Sequence, residues 1–208
     1  MTPRRWTLVA VVLGSAAVFL DSTVVNVALP RIGRELPTHY VAVLEGQSYV
    51  YNAYLLTLST LLIPAGALGD HYGRRRIFAI GLGAFALTSL FCGLAPSMET
   101  LILARILQGG AGALLVPGSL ALIRANFEGE AQGRAIGTWA AASSATTLLG
   151  PLVAGLLVDT LSWRVAFLIN LPILALAGWA LLRHTPESRD PAAARHLDWL
   201  GAAISGLA

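Results

Sequence analysis

Six apolar stretches, each long enough to cross a bilayer, set the terms on which this chain can fold. They cover roughly residues 7–29, 48–68, 77–95, 100–123, 135–158 and 163–182. A spanning helix needs about 20 mostly apolar residues. Lipid offers no partner for a bare backbone N–H or C=O, so a helix that bonds to itself is the solution. Only 12% of the residues are charged and 56% are hydrophobic, against roughly 25% charged in a soluble domain. Many of the 21 Gly and 10 Pro fall inside the apolar runs, as they do in membrane helices. The fold class read from this is all-α: a polytopic membrane protein with a six-helix N-terminal bundle.

The loops are short apart from 31–47 and the polar stretch 183–197, expected as a cytoplasmic loop. The division expected is a transmembrane bundle over 1–182, that loop, and the start of a seventh helix over 198–208. The closing "LDWLGAAISGLA" has twelve residues, too few to span. The expectation is a chain cut off inside a helix, a fragment or truncated product.

All 14 basic residues are arginine. With the N-terminus inside, arginines 4, 5, 74, 75, 76, 124, 134, 183, 189 and 195 are inside and 31, 34 and 164 outside. Ten against three places the N-terminus in the cytoplasm by the positive-inside rule. The arginines sit between apolar segments, so topology accounts for them and no nucleic-acid partner is expected. Arginine without lysine, beside abundant Ala and Gly, points to a GC-rich bacterial genome. Cys92 is the only cysteine, which leaves no intrachain disulfide. Arg4 and Arg5 precede an apolar run of about 23 residues, too long for a signal peptide and without a small-residue cleavage site. It reads as a retained first helix.

Two charges lie inside the apolar stretches. Asp21, in "LDSTVVNVALP", is flanked by apolar residues on both sides. A charge at the bilayer centre costs at least ~2.5–3.5 kcal/mol, and intramembrane acids mark ion or proton pathways. Burial favours a carboxyl's neutral form and a nearby cation its charged form. Ser22 and Asn26 share a helix face at i, i+4 and are expected to form a polar sector with Asp21, lining a cavity. Arg105, in "LILARILQGGAGALLVP", is the second charge. It lies ~9 Å below the outer end of its helix and Asp21 ~13 Å below that of its own. The two depths allow a pair, for proton coupling or for assembly. Gln108, three residues on, can share the Arg105 face and join the cavity lining.

"GALGDHYGRRRIF" turns the chain between the second and third segments. Gly66 opens it. Gly69 and Gly73 allow close approach or positive φ. Asp70 can bond within its own turn or cap the next helix. Arg74, Arg75 and Arg76 supply dense charge. Topogenic arginine explains the charge but not the glycine and aspartate spacing, which looks like a moving joint. In "ATTLLGPLVAGLLVD", Pro151 removes a backbone bond and Gly150 and Gly155 let helices pack closely. Tyr49, Tyr51 and Tyr54 are expected in an interfacial belt, at most one of them facing a cavity, and Trp163 as an interfacial anchor. His39, His71, His184 and His196 fall in expected loops, so no metal site is expected. No catalytic constellation converges at membrane depth, so an enzyme is not expected.

Together these stretches resemble the major facilitator superfamily, and within it the drug:proton antiporter branch with fourteen helices. "GALGDHYGRRR" resembles the loop 2–3 motif, with His71 where Arg or Lys is usual. "LILARILQGGAGA" resembles the helix-four motif. "GPLVAG" resembles the core of the helix-five antiporter motif, with Thr146 and Ala154 where glycines are common. "LDSTVVNVALP" and "WRVAFLINLP" are typical of the fourteen-helix branch. The resemblance implies alternating access by two bundles, driven by a proton gradient with no cofactor. Asp21 would couple protons, with Arg105 as its relay. Gly66, Gly69, Asp70, Gly73, Arg74 and Arg75 would form the cytoplasmic gate loop. Gly150, Pro151 and Gly155 would favour exchange over symport. Substrates would be lipophilic, often cationic, small molecules. The partners implied are the lipid bilayer, here a bacterial inner membrane, and a C-terminal bundle that this chain lacks. A metabolite symporter or uniporter of the same fold, or a membrane scaffold without transport, are the alternatives.

Overall fold

A computed structural model describes residues 2–189; the expected seventh-helix start at 198–208 and most of the 183–197 loop lie outside them. The described residues form α1 (Pro3–Glu35), α2 (Val43–Tyr72), α3 (Arg74–Gly93), α4 (Met98–Asn126), α5 (Gly129–Thr160), α6 (Val165–Leu168) and α7 (Asn170–His184). Six apolar spans result, with α6 and α7 together making the sixth. Each expected segment is present. Most are longer than hydropathy alone defined, because polar ends such as Arg31–Glu35 and Gly129–Arg134 continue the helix.

The breaks have local causes. Gly73 ends α2 and starts α3 at φ 114°, a conformation that a side chain resists. Ser97 opens α4 with a capping box, its hydroxyl accepting from the Thr100 N–H while the Thr100 hydroxyl accepts from the Ser97 N–H. Pro172, two residues into α7, has no N–H for the carbonyl four residues back, and the helix there divides into α6 and α7. Pro30, Pro64, Pro117 and Pro151 are carried inside long helices, which membrane bundles tolerate.

α1 runs through the bundle against α4, α5 and α7, while α2 lies mainly on α4, and α3 on α4 and α7. α2 and α5 are the least buried spans. Leucines such as Leu56 on α2 and Leu148 and Leu152 on α5 are left uncovered. Small residues set the closest approach. At Gly109 a Cβ would press on the backbone oxygen of Tyr54 and come within 3.0 Å of the Thr57 Cβ. Two apolar clusters fill the interior. One gathers Val11, Val18, Phe78, Phe85, Leu115 and Leu174. The other gathers Val24, Val50, Leu101, Ala154, Trp163 and Phe167. Trp163, expected as an interfacial anchor, is buried in this cluster: its ring meets Phe167 edge-on at 6.1 Å, with the Arg164 guanidinium 4.3 Å from its centroid. Arg164 in turn donates to the carbonyls of Gly93 and Ala95 at the end of α3.

Gly109→Val should lower stability by about 1–3 kcal/mol through overpacking. Gly83→Ala, where an added Cβ meets nothing within 4 Å, should leave the unfolding midpoint in detergent unchanged. Equal midpoints for the two variants would remove the packing argument.

Candidate functional site

Between the two apolar clusters, by position along α1, α3, α4 and α7, lies a layer of five fully buried polar side chains: Asp21, Ser89, Arg105, Gln108 and Asn170. The pair expected from depth alone is present, with Arg105 Nη1 donating to Asp21 Oδ2 at 2.5 Å. Gln108 ties the layer together. Its Oε1 accepts from Arg105 Nη1 at 2.7 Å and from the Cys92 thiol at 3.3 Å. Its Nε2 donates to Asp21 Oδ1 at 3.0 Å and to Ser89 Oγ at 2.8 Å. Asn170 Nδ2 donates to Asp21 Oδ1 at 3.1 Å and to Ser89 Oγ at 3.3 Å. The carboxylate thus accepts one bond from a cation and two from amides. A buried charge needs that degree of satisfaction.

Arg105 has a second neighbour that its sequence context did not announce. Its guanidinium sits over the Tyr54 ring, 3.9 Å from the centroid, and its Nε donates to the Val50 carbonyl. Tyr54 is fully buried, with its hydroxyl donating to the Val18 carbonyl at 3.2 Å. The expectation of an interfacial belt fails for Tyr54: the aromatic face screens a cation in the interior. Tyr49, five residues earlier, is exposed.

Gln108, expected in a cavity wall, is a linker inside the buried layer. Asn26 is exposed on the other side of α1 from Asp21, and the half-buried Ser22 donates to the Phe19 carbonyl within its own helix. The polar sector expected of Asp21, Ser22 and Asn26 is therefore split. Asp21 turns inward, because one residue advances a helix by about 100° and five by about 140°.

At the arginine-rich end, Arg74 pairs with Asp70 through Nη2 at 2.7 Å and Nε at 2.8 Å. Asp70 does not cap α3. That role falls to Glu187, whose two carboxylate oxygens accept from the Arg75 and Arg76 backbone N–H groups at 3.0 and 3.1 Å. A carboxylate at a helix N-terminus meets unpaired donors and the positive end of the dipole. Ser188 adds its carbonyl to the Arg74 N–H at 2.9 Å, and Arg75 Nη2 donates to the Leu182 carbonyl. Of the loop glycines, Gly73 has the positive φ. Gly69 has neither positive φ nor a neighbour that a Cβ would touch, and Gly66 is in ordinary contact with Pro117.

In α5, Gly150 is the point of closest approach, its position for a Cβ already filled by Thr23 of α1. Ala154 and Val158 continue the same buried stripe. Gly155 faces open space and Pro151 is exposed, so the close packing runs through Gly150 and Ala154 instead of Gly150 and Gly155.

Removing one member of a buried ion pair costs about 3–5 kcal/mol, much of it from stranding the other. Asp21→Asn and Arg105→Gln should each lower stability by that order. The double variant should cost clearly less than the sum. Strict additivity in a double-mutant unfolding cycle would mean that the pair carries no coupling energy.

The Major Facilitator Superfamily model matches residues 11–204. The tetracenomycin C resistance and export protein of Streptomyces glaucescens is 40% identical over 192 residues, which is 90% of this chain and 35% of that protein. The multidrug resistance protein Stp of Mycobacterium tuberculosis is 42% identical over 91% of the chain and 35% of its own length. The puromycin resistance protein pur8 of Streptomyces alboniger is 42% identical over 96% of the chain and 39% of its own length. The chain thus spans about a third of the length of these relatives. Among solved structures, a human organic anion transporter superposes with a TM-score of 0.72 at 19% identity, over 99% of this chain and 54% of that one. A bacterial homologue of the human lysosomal transporter Spinster, inward-facing and unoccupied, gives 0.67 at 21% identity, over 95% of this chain and 46% of that one. These likenesses concern the fold. With six membrane-length helices and a family match across nearly its whole length, this multi-pass membrane chain belongs to the major facilitator superfamily of transporters, not to an enzyme family.

Proposed function

We propose that this bundle is one of the two in a proton-driven exporter of lipophilic, cationic compounds, working by alternating access. The observation that carries the proposal is the buried pair of Asp21 and Arg105. An apolar pair of similar volume would serve packing as well or better, so stability gives little reason to hold two charges there. A carboxylate that can take up and release a proton gives one, since intramembrane acids serve proton pathways. The relatives named for drug resistance or export support the efflux direction. An apolar cleft of about 350 Å³ between α2 and α4, bordered by Tyr49, Leu56, Ile102 and Ile106, supports a lipophilic cargo.

In this reading Asp21 is the proton-coupling group and Arg105 its electrostatic partner. The segment from Gly66 to Arg76, the end of α2 and the start of α3 with Asp70 and Arg74 paired and Gly73 at the bend, is the gate on the cytoplasmic side, where the N-terminus also lies. The stripe from Gly150 to Val158 seats α5 closely on α1, so that the two move together as the bundles rock. The second bundle closes the cavity from the other side. The driving force is the proton gradient, with no cofactor.

The test is efflux of a lipophilic cationic dye from proteoliposomes under an imposed pH gradient, with the bundle in its complete transporter. Asp21→Asn should reduce gradient-driven efflux to the level of empty liposomes while dye binding persists. Undiminished efflux by that variant would end the assignment of Asp21. A dye flux that ignores the gradient in the unaltered protein would favour a uniporter of the same fold.

A further inference from the structure

Two atoms of the polar layer have no hydrogen-bond partner among the described residues, Arg105 Nη2 and Asn170 Oδ1. The first belongs to the guanidinium that lies over the Tyr54 ring. The second is a strong acceptor in a dry interior with nothing to accept. A buried acceptor of that kind keeps the full cost of its desolvation with nothing to offset it.

The rest of the layer shows what that acceptor is for. Asp21 Oδ2 is held by Arg105, while Oδ1 faces two amide donors, Gln108 Nε2 and Asn170 Nδ2. The titratable groups packed around this carboxylate are Arg105 on α4, Tyr54 on α2 and Cys92 on α3. When a proton from a hydronium ion adds to Oδ1, one O–H bond forms and a water molecule is released. Oδ1 is left with one lone pair, and its new hydrogen needs an acceptor. Gln108 cannot supply it. Its Oε1 is engaged by Arg105 and Cys92, and turning the amide over would aim N–H groups at a guanidinium. Asn170 has no such anchor. Turning its amide by half a rotation about a soft sp³–sp² torsion brings Oδ1 to the place that Nδ2 held, close to Asp21 Oδ1 and Ser89 Oγ. Ser89 fits both states. Its oxygen accepts from Gln108 and Asn170, and its own hydrogen is uncommitted among the described residues, ready to donate to the turned Asn170.

We propose that Asn170, backed by Ser89, is a positioning residue that reads the protonation state of Asp21 by turning its side-chain amide over. It donates to the carboxylate and accepts from the acid. The inference rests on the reading of Asp21 as the proton-coupling group. It adds that the sixth span, through the first residue of α7, is the element that senses the proton.

The experiment is infrared difference spectroscopy of the chain in lipid nanodiscs between alkaline and acidic pH. The protonated-carboxyl C=O band of Asp21 is assigned by its loss in Asp21→Asn. In Asn170→Leu, which keeps the size and removes both polar atoms, that band should move to higher wavenumber, as for an acid that has lost its acceptor. In Ser89→Ala it should move the same way by less. An unmoved band in Asn170→Leu overturns the proposal. If that variant does not fold, an unmoved band in Ser89→Ala overturns it. If no Asp21 band appears at any pH, the proton-coupling reading itself fails, an outcome distinct from a band that titrates without regard to Asn170.

Discussion

The ion pair of Arg105 with Asp21 is the constraint around which the bundle is arranged. Neither charge touches solvent. Such a pair is sustained in an apolar interior when further hydrogen bonds satisfy most of its remaining lone pairs and protons. That demand recruits side chains from every helix within reach: an amide from α4 itself, a hydroxyl and a thiol from α3, an amide from α7 and an aromatic face from α2. The two apolar clusters then pack above and below a polar layer that they could not have filled. The register of at least four helices is fixed at this level, because slipping any of them by a turn would strand a charge.

The helix breaks serve the same layer. Asn170 stands at the first residue of α7, directly after the interruption that Pro172 imposes. The proline itself is exposed while Asn170 is buried, and a membrane helix carries such a break where its neighbours satisfy the freed backbone groups. At the arginine-rich end, Glu187 does for α3 what a side chain within the turn between α2 and α3 does not. The loop glycine makes room for it: a Cβ on Gly73 would come within 2.9 Å of the Glu187 carboxylate.

The architecture was largely legible in the amino-acid sequence, since six apolar runs of bilayer length leave a chain little choice. Asp21 and Arg105 stood out because charge is rare in such runs, and helical rise was enough to place them level. Tyr54, Ser89 and Asn170 did not stand out. A tyrosine near the start of a span reads as interfacial, and single serines and asparagines are ordinary in membrane helices. Their part arises from which face of each helix turns inward, which hydropathy does not report. Ser22 and Asn26 show the reverse: closeness to Asp21 along the chain is not closeness in space, because Asp21 turns to the inner face of α1 and Asn26 to the outer. Glu187 lies more than 110 residues from the N–H groups it caps, a separation at which local pattern carries no signal.

Tyr54 gives the bundle an unusual mechanical property. The ring that covers the guanidinium is carried by α2, one of the two least buried spans. The screen over the deepest cation is thus mounted on an outer wall that rests mainly on α4. Any tilt of α2 away from α4 opens a gap beside Arg105, whose Nη2 has no hydrogen-bond partner among the described residues, and the first thing to gain from entering that gap is water. A helix packed mainly on one neighbour is, by this placement, the one whose movement decides whether the centre of the bundle is dry or wet.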